Sequence, residues 1–195
     1  MLKKTAKHIV IVALGVIALA GAARVHAQEM TVELDPAQTR IEFTLGASLH
    51  TVHGSFQRKS GVIHFDPASG TASGVVVVDA TSAETGNKSR DRKMHSQVLE
   101  SQKYPEITFS PGKLSGPLAR PGQSSVQLQG SFRLHGDDHT ISLTVPVQIT
   151  GDTVMAKAQF VIPYVAWGLK NPSTFLLHVS DKVQVDVTAV GHITK

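Results

Sequence analysis

Residues 28–195 are expected to fold as one all-β domain, a closed antiparallel β-barrel of about eight strands with one short α-helix inserted. Three observations predict this. Apolar and polar residues alternate along most of the chain, which is typical of strands with one buried face. The connections are short, which favours antiparallel pairing. The chain has no cysteine, so closure into a barrel, not a disulfide, is expected to protect the strand edges, and we prefer a barrel to a sandwich.

The strands follow from this alternation and from the Gly, Pro, Asp and Asn residues that interrupt it. The predicted strands span residues 40–45, 52–57, 61–65, 75–80, 106–110, 126–135, 140–150, 154–162 and 183–189. A three-residue loop, Gly136-Asp137-Asp138, is predicted between the sixth and seventh of these strands.

Residues 87–100 lack alternation and are predicted to form one amphipathic helix of about three turns. Asn87 or Ser89 provides an N-terminal cap, and Pro105 prevents a longer helix. Met94 and Val98 share one face of this helix. We expect the helix to lie over an open end of the barrel.

The first 27 residues predict export. A cationic start is followed by an apolar segment from Ile9 to Ala20 and by Val25-His26-Ala27, the organisation of a secretory signal peptide cleaved after Ala27. Residues 28–195 then carry 15 basic and 15 acidic residues. Without an excess of positive charge, this part of the chain has no electrostatic basis for binding nucleic acid. The periplasm or the outside of the cell is the expected location.

Several sequence motifs together resemble the YceI-like family of exported bacterial proteins. They include Leu34-Asp35-Pro36, Val52-His53-Gly54-Ser55-Phe56, Gly61-Val62-Ile63-His64-Phe65-Asp66-Pro67, Thr85-Gly86-Asn87 with Arg90-Asp91, Lys103-Tyr104-Pro105-Glu106, and Gly130-Ser131-Phe132-Arg133-Leu134-His135-Gly136. The resemblance extends from about residue 31 to residue 192 and implies a lipocalin-like barrel that binds polyisoprenoid lipids in a long apolar pocket. It carries over no catalytic residue. Arg90-Asp91 is interpreted as a structural pair that ties the helix to a strand.

The inward-facing apolar residues are the first candidate site. Alternation alone favours an ordinary packed core, whereas the resemblance favours a ligand pocket. The predicted pocket residues are Phe43, Leu45, Phe56, Ile63, Phe65, Ile107, Phe109, Leu128, Phe132, Leu143 and Val145. Their aromatic rings would suit an elongated hydrocarbon, because they require no hydrogen-bond partner.

The eight histidines of residues 28–195 are a second candidate signal. His135 and His139 flank the predicted hairpin loop, and with Asp137 or Asp138 they are a candidate pair for a divalent metal, the alternative being an ordinary polar hairpin tip. His50 and His53 would point to opposite faces of an extended segment.

An enzyme is the third hypothesis. Asp91, His95 and Glu100 share the predicted helix, but the spacing of Asp91 and His95 is also that of an ordinary helix surface pair. The serines lie in no Gly-x-Ser-x-Gly turn. We therefore expect no catalysis, no cofactor and no resident metal.

The preferred hypothesis is a non-catalytic protein that binds, and carries or stores, a polyprenyl or quinone-like lipid. The expected partners are this lipid, or another long-chain apolar lipid, and transiently a membrane surface, with the protein a monomer or dimer. The alternatives are a metal-handling or stress-related interaction protein of the same fold and, less favoured, a hydrolase.

Overall fold

A computed structural model describes residues 29–194, in which nine antiparallel strands close into a barrel. The predicted signal peptide lies outside the described residues. The strands are β1 Met30–Leu34, β2 Arg40–Leu45, β3 Val52–Phe65, β4 Ala72–Glu84, β5 Glu106–Ser115, β6 Gly122–Leu134, β7 Asp137–Thr150, β8 Thr153–Ile162 and β9 Val183–Thr194.

The barrel closes because β1 and β2 together occupy one position between β3 and β9. Both short strands pair with β3 and with β9, β1 near one end of the barrel and β2 near the other. Eight strand positions therefore surround the interior, and the predicted lipocalin-like barrel of about eight strands is confirmed. β1 was not among the predicted strands, since its five residues contain only two steps of alternation before Asp35-Pro36.

β3 is one strand of 14 residues where the sequence predicts two. The polar segment from Gln57 to Ser60 interrupts the alternation and resembles a connection. In the structure its pairing with β4 continues through two irregularities, between Ser55 and Gln57 and between Arg58 and Ser60. Such bulges let a strand bend with the barrel without ending.

The hairpin between β6 and β7 has a two-residue loop, His135-Gly136, so the predicted three-residue loop is wrong. Leu134 pairs with Asp137, which places Asp137 and Asp138 within β7. His135 has a φ of 56° and Gly136 a φ of 91°. Two successive positive φ values are typical of the tight turns whose twist matches that of paired strands.

The predicted short helix of about three turns is confirmed, and its last part is π-helical. α1 spans Lys88–Lys93, and Asn87 caps it by accepting hydrogen bonds from the backbone N–H groups of Ser89 and Arg90. The chain continues as a π-helical turn, Met94–Val98. Among residues 29–194, no helix has the length and apolar character needed to cross a membrane.

The two ends of the barrel differ. One end, here called the helix end, carries α1 and three long connections, residues 46–51, 85–105 and 163–182. The opposite end, here called the turn end, carries shorter connections at 35–39, 66–71, 116–121 and 151–152. Packed core residues form two separate clusters. One, around Val126 and Ile149, lies towards the turn end, and the other, around Ile107 and Tyr164, lies towards the helix end.

Candidate functional site: an apolar cavity inside the barrel

The barrel contains a cavity of about 560 Å³, within the usual range for small-molecule sites. Inward-facing residues from all nine strands line it, and nearly all of them are apolar. All eleven residues of the predicted pocket lie on its wall: Phe43, Leu45, Phe56, Ile63, Phe65, Ile107, Phe109, Leu128, Phe132, Leu143 and Val145. That these residues contact a ligand stays a prediction.

The phenylalanine rings lie against the wall instead of filling the interior. Gly54 is paired with Phe43 across β2 and β3, and a Cβ atom on Gly54 would overlap the Phe43 ring. Gly130 plays the same part for Phe109, whose ring would lie 2.9 Å from an added Cβ. Glycine at these two positions lets each ring lie flat on the neighbouring strand. The central space therefore remains open.

Small residues widen another part of the wall. Ala156 and Ala158 of β8 and Ala189 of β9 all line the cavity, and Ala156 is paired with Ala189. Their side chains project little beyond the backbone, so the space in front of them is left free. The predicted pocket contained no residue of β8 or β9, although their alternation was as clear as that of β7.

The cavity opens at the helix end. Among its lining residues only His50 and Ser89 are exposed to solvent, and both belong to this end. Thr85, Arg90 and Lys93 also line it there. Apart from Thr39 and Thr108, the polar lining residues thus lie at this mouth, whereas the deeper wall is almost wholly apolar.

Thr85 anchors the Arg90-Asp91 pair at this mouth. Arg90 Nε donates to Thr85 Oγ1 at 2.7 Å, and Arg90 Nη2 donates to the Thr85 carbonyl oxygen at 2.9 Å. Asp91 Oδ1 accepts from the Thr85 backbone N–H at 3.0 Å and from its hydroxyl. Since Thr85 follows β4 directly, these bonds join the helix to a strand, which confirms the predicted structural pair.

Tyr164 lies on the cavity wall at the helix end and is almost fully buried. Its hydroxyl donates to the carbonyl oxygen of Ser180 at 2.7 Å, which joins the start of the long β8–β9 connection to its end. Burial, with a smaller contribution from the negative charge of Asp181, raises the pKa of Tyr164 to about 12. Tyr164 therefore stays neutral through the physiological pH range.

The structure separates His135 from His139. His135 Nε2 lies 3.0 Å from Glu100 Oε2, and its ring packs on Tyr104. His139 faces another way and stacks on Trp167 with ring centroids 3.8 Å apart. Within residues 29–194, no group of three or more His, Cys, Asp or Glu side chains is placed to hold a metal ion.

The structure also separates His50 from His53. His50 lies at the cavity mouth near Arg90, whereas His53 Nδ1 lies 3.1 Å from the Thr44 hydroxyl on the outside of the barrel. This outcome agrees with the prediction that the two side chains point in opposite directions.

The side chains of the enzyme hypothesis serve structural contacts. His95 Nε2 lies 2.9 Å from the Ala83 carbonyl oxygen and, because a carbonyl only accepts, carries the proton of that bond. Its Nδ1 lies 2.9 Å from the hydroxyl of Ser101. Glu100 contacts His135, and Asp91 binds Thr85. These three side chains therefore point to different partners.

Comparison with known proteins identifies the family to which this barrel belongs. A family model described as the YceI-like domain matches residues 33–190. The chain belongs to the YceI-like family. Proteins of the UPF0312 group from Vibrio cholerae serotype O1 are 28–29% identical to it over 136 residues, 67% of this chain and 66% of each relative. The chain thus spans just under two thirds of the length of these relatives.

Solved structures share the YceI-like fold. BcnA of Burkholderia cenocepacia has a TM-score of 0.66 at 19% identity, covering 80% of this chain and 98% of BcnA. A polyisoprenoid-binding domain from Saccharophagus degradans has a TM-score of 0.68 at 20% identity, covering 84% and 98%. The YceI protein of Campylobacter jejuni has a TM-score of 0.60 at 20% identity, covering 74% and 86%. These likenesses establish the fold.

Proposed function

We propose that this protein binds a long isoprenoid lipid, of the polyprenyl or quinone class, in the barrel and carries or stores it without chemical change. The observation that carries the proposal is the apolar cavity of about 560 Å³ with most of its polar lining residues at one mouth. Membership of the YceI-like family supports it, as does the fold shared with a polyisoprenoid-binding domain. The sequence of residues 1–27 supports export to the periplasm or beyond.

The distribution of lining residues gives the lipid an orientation. The hydrocarbon tail lies deep, against Phe65, Leu128 and Val145, because that part of the wall is almost wholly apolar. The polar end of the lipid stays near Arg90 and Lys93, where hydrogen-bond donors are available. A buried head group would lack partners and would cost free energy.

Energetics favour reversible exchange with a membrane. Transfer of one CH₂ group from water is worth about 0.8 kcal/mol, so a five-carbon isoprene unit is worth roughly 3–4 kcal/mol. A lipid of many units would then exceed the limit of non-covalent affinity, near −18 to −21 kcal/mol, if it came from water. A tail drawn from a bilayer leaves one apolar environment for another. The free-energy change is then small, which suits both pick-up and release.

The experiment is extraction of a fluorescent polyprenol from phosphatidylcholine vesicles by the purified protein, separated by centrifugation. We expect transfer that saturates at one lipid per barrel. Absence of transfer at every protein concentration, or conversion of the lipid to a product, would overturn the proposal. Native mass spectrometry of protein purified from its own cell envelope provides an independent readout of a retained apolar ligand.

Two neighbouring residues of β7 provide matched variants. Leu143 lines the cavity, whereas Ser142 is exposed on the outer face of the same strand. Leu143→Arg places a charge in the path of the tail and is expected to abolish extraction, and Ser142→Arg is expected to leave it unchanged. Circular dichroism checks that both variants are folded. Equal extraction by two folded variants would contradict binding inside the barrel.

A further inference from the structure

Three segments far apart in sequence surround the cavity mouth. They are residues 46–50, Lys88–Lys93 and residues 171–179, and we call them together the mouth rim. The backbone N–H of Ser48 donates to the His178 carbonyl oxygen at 2.9 Å. Lys93 Nζ donates to the Pro172 carbonyl oxygen at 3.3 Å. The rim is therefore one continuous surface.

The mouth rim exposes large apolar side chains. Leu49, Phe175 and Leu176 have exposed fractions of 78%, 103% and 84%. Phe175 and Leu176 lie at the tip of a turn closed by a hydrogen bond from the Thr174 N–H to the Leu177 carbonyl oxygen, 2.8 Å long. Both sides of the rim thus expose apolar side chains directly beside the cavity mouth. Large exposed apolar patches commonly mark an interaction site.

Positive charge is concentrated in the same place. The mouth rim contains four basic residues and one acidic residue, whereas the remainder of residues 28–195 contains eleven basic and fourteen acidic residues. Lys88 and Arg92 are exposed and line no part of the cavity. Asp91, the acidic residue of α1, is turned towards Thr85. Residues 28–195, whose basic and acidic residues are equal in number, therefore carry their positive charge concentrated at the cavity mouth.

We propose that the mouth rim docks on the surface of a bilayer that contains anionic lipids. The proposal deepens the proposed function and rests on it, since it names the surface through which the lipid enters and leaves. The tips at Leu49, Phe175 and Leu176 enter the boundary between head groups and acyl chains, and the cations of α1 lie at the level of the phosphates. A second copy of the chain is a poorer occupant, because two positively charged rims repel each other.

Flotation with vesicles tests the docking. The purified protein is mixed with phosphatidylcholine vesicles, with and without phosphatidylglycerol, at low and high salt. We expect binding that requires phosphatidylglycerol and weakens with salt. The variant Lys88→Gln/Arg92→Gln is expected to partition about 20- to 30-fold less, since each cation near an anionic surface contributes about fivefold. The variant Phe175→Ser/Leu176→Ser is expected to lose at least tenfold.

Control variants at the turn end separate a local surface from general stickiness. Met155 is 41% exposed, and Lys113, on β5, is exposed at the same end. Met155→Ser and Lys113→Gln are expected to leave vesicle binding unchanged. Equal losses in the rim and control variants would overturn the proposal, as would vesicle binding that ignores phosphatidylglycerol. Light scattering that shows a dimer lost in Phe175→Ser/Leu176→Ser would overturn it in favour of self-association.

Direct titration with a short fluorescent prenyl probe in the absence of vesicles distinguishes the two proposals. Unchanged probe binding with weakened flotation in both rim variants supports docking. Probe binding by a protein that never floats with vesicles refutes docking and leaves the proposed function standing. Flotation without probe binding refutes the proposed function and leaves the proposed docking of the mouth rim on the membrane unaffected.

Discussion

The sharpest test of a hollow barrel is a substitution that fills its cavity (the lumen). Ala158→Phe is expected to fill it. Ala158 lies in the middle of β8 and faces the cavity. In open space a new phenyl ring gains roughly 1.5–3 kcal/mol from burial and loses about 0.5–1 kcal/mol of side-chain entropy. We therefore expect the free energy of unfolding of the empty protein to rise by about 1–2 kcal/mol. For a chain of this size the melting temperature rises by about 2–4 °C per kcal/mol.

The same ring excludes part of the ligand. Loss of contact with one isoprene unit is worth roughly 3–4 kcal/mol from water, so a prenyl probe should bind two to three orders of magnitude more weakly. Urea denaturation and fluorescence titration measure the two effects. Ala80→Phe is the control, because Ala80 is 2% exposed within the packed cluster at the helix end and should cost about 1–3 kcal/mol. Destabilisation by Ala158→Phe with unchanged probe binding would refute the hollow interior.

Three further predictions concern the structure around the cavity. Because the folded-state pKa of Tyr164 is raised from 10 to about 12, its neutral form contributes up to about 2–3 kcal/mol to the free energy of unfolding, which is present below pH 10 and lost as the pH rises to 12. Tyr164→Phe should remove this alkaline loss in urea titrations. An unaltered pH profile would exclude Tyr164 as its source. Asp91→Asn should weaken two bonds to Thr85 and destabilise α1 by about 1–2 kcal/mol, seen as faster amide exchange in the helix but not in β7. Gly54→Ala places a Cβ against both the Phe43 ring and the Glu84 carbonyl oxygen, so it should displace the ring and the strand, lower stability by about 1–3 kcal/mol and weaken probe binding; a neutral effect on both would contradict the seating of this ring.

Alternation along the strands predicted which residues face inward. Leu128, Leu143 and Val145 were placed on the inner face from their spacing, and they line the cavity. This property is local: successive side chains of a strand point to opposite faces whatever the partner strand is. The helix cap at Asn87 was predictable for the same reason, since a cap involves only the next few residues.

Other features depended on partners distant in the sequence. β1 became a strand because β3 and β9 offer it two edges, which a five-residue segment does not reveal. His135 and His139 appeared close in sequence, but the two-residue turn directs one to Glu100 and the other to Trp167. The register of the hairpin, set by the turn, decided this outcome.

By itself the sequence determined a set of amphipathic strands, their inner faces and a short capped helix, because each of these depends on neighbours along the chain. Only the tertiary structure decided that the inner faces enclose a space. That outcome depends on the number of strands that close the ring and on residues such as Gly54 and Ala158, which become neighbours of the lumen only after closure. It also decided where the lumen opens, because loops separated by more than a hundred residues meet at one end of the barrel.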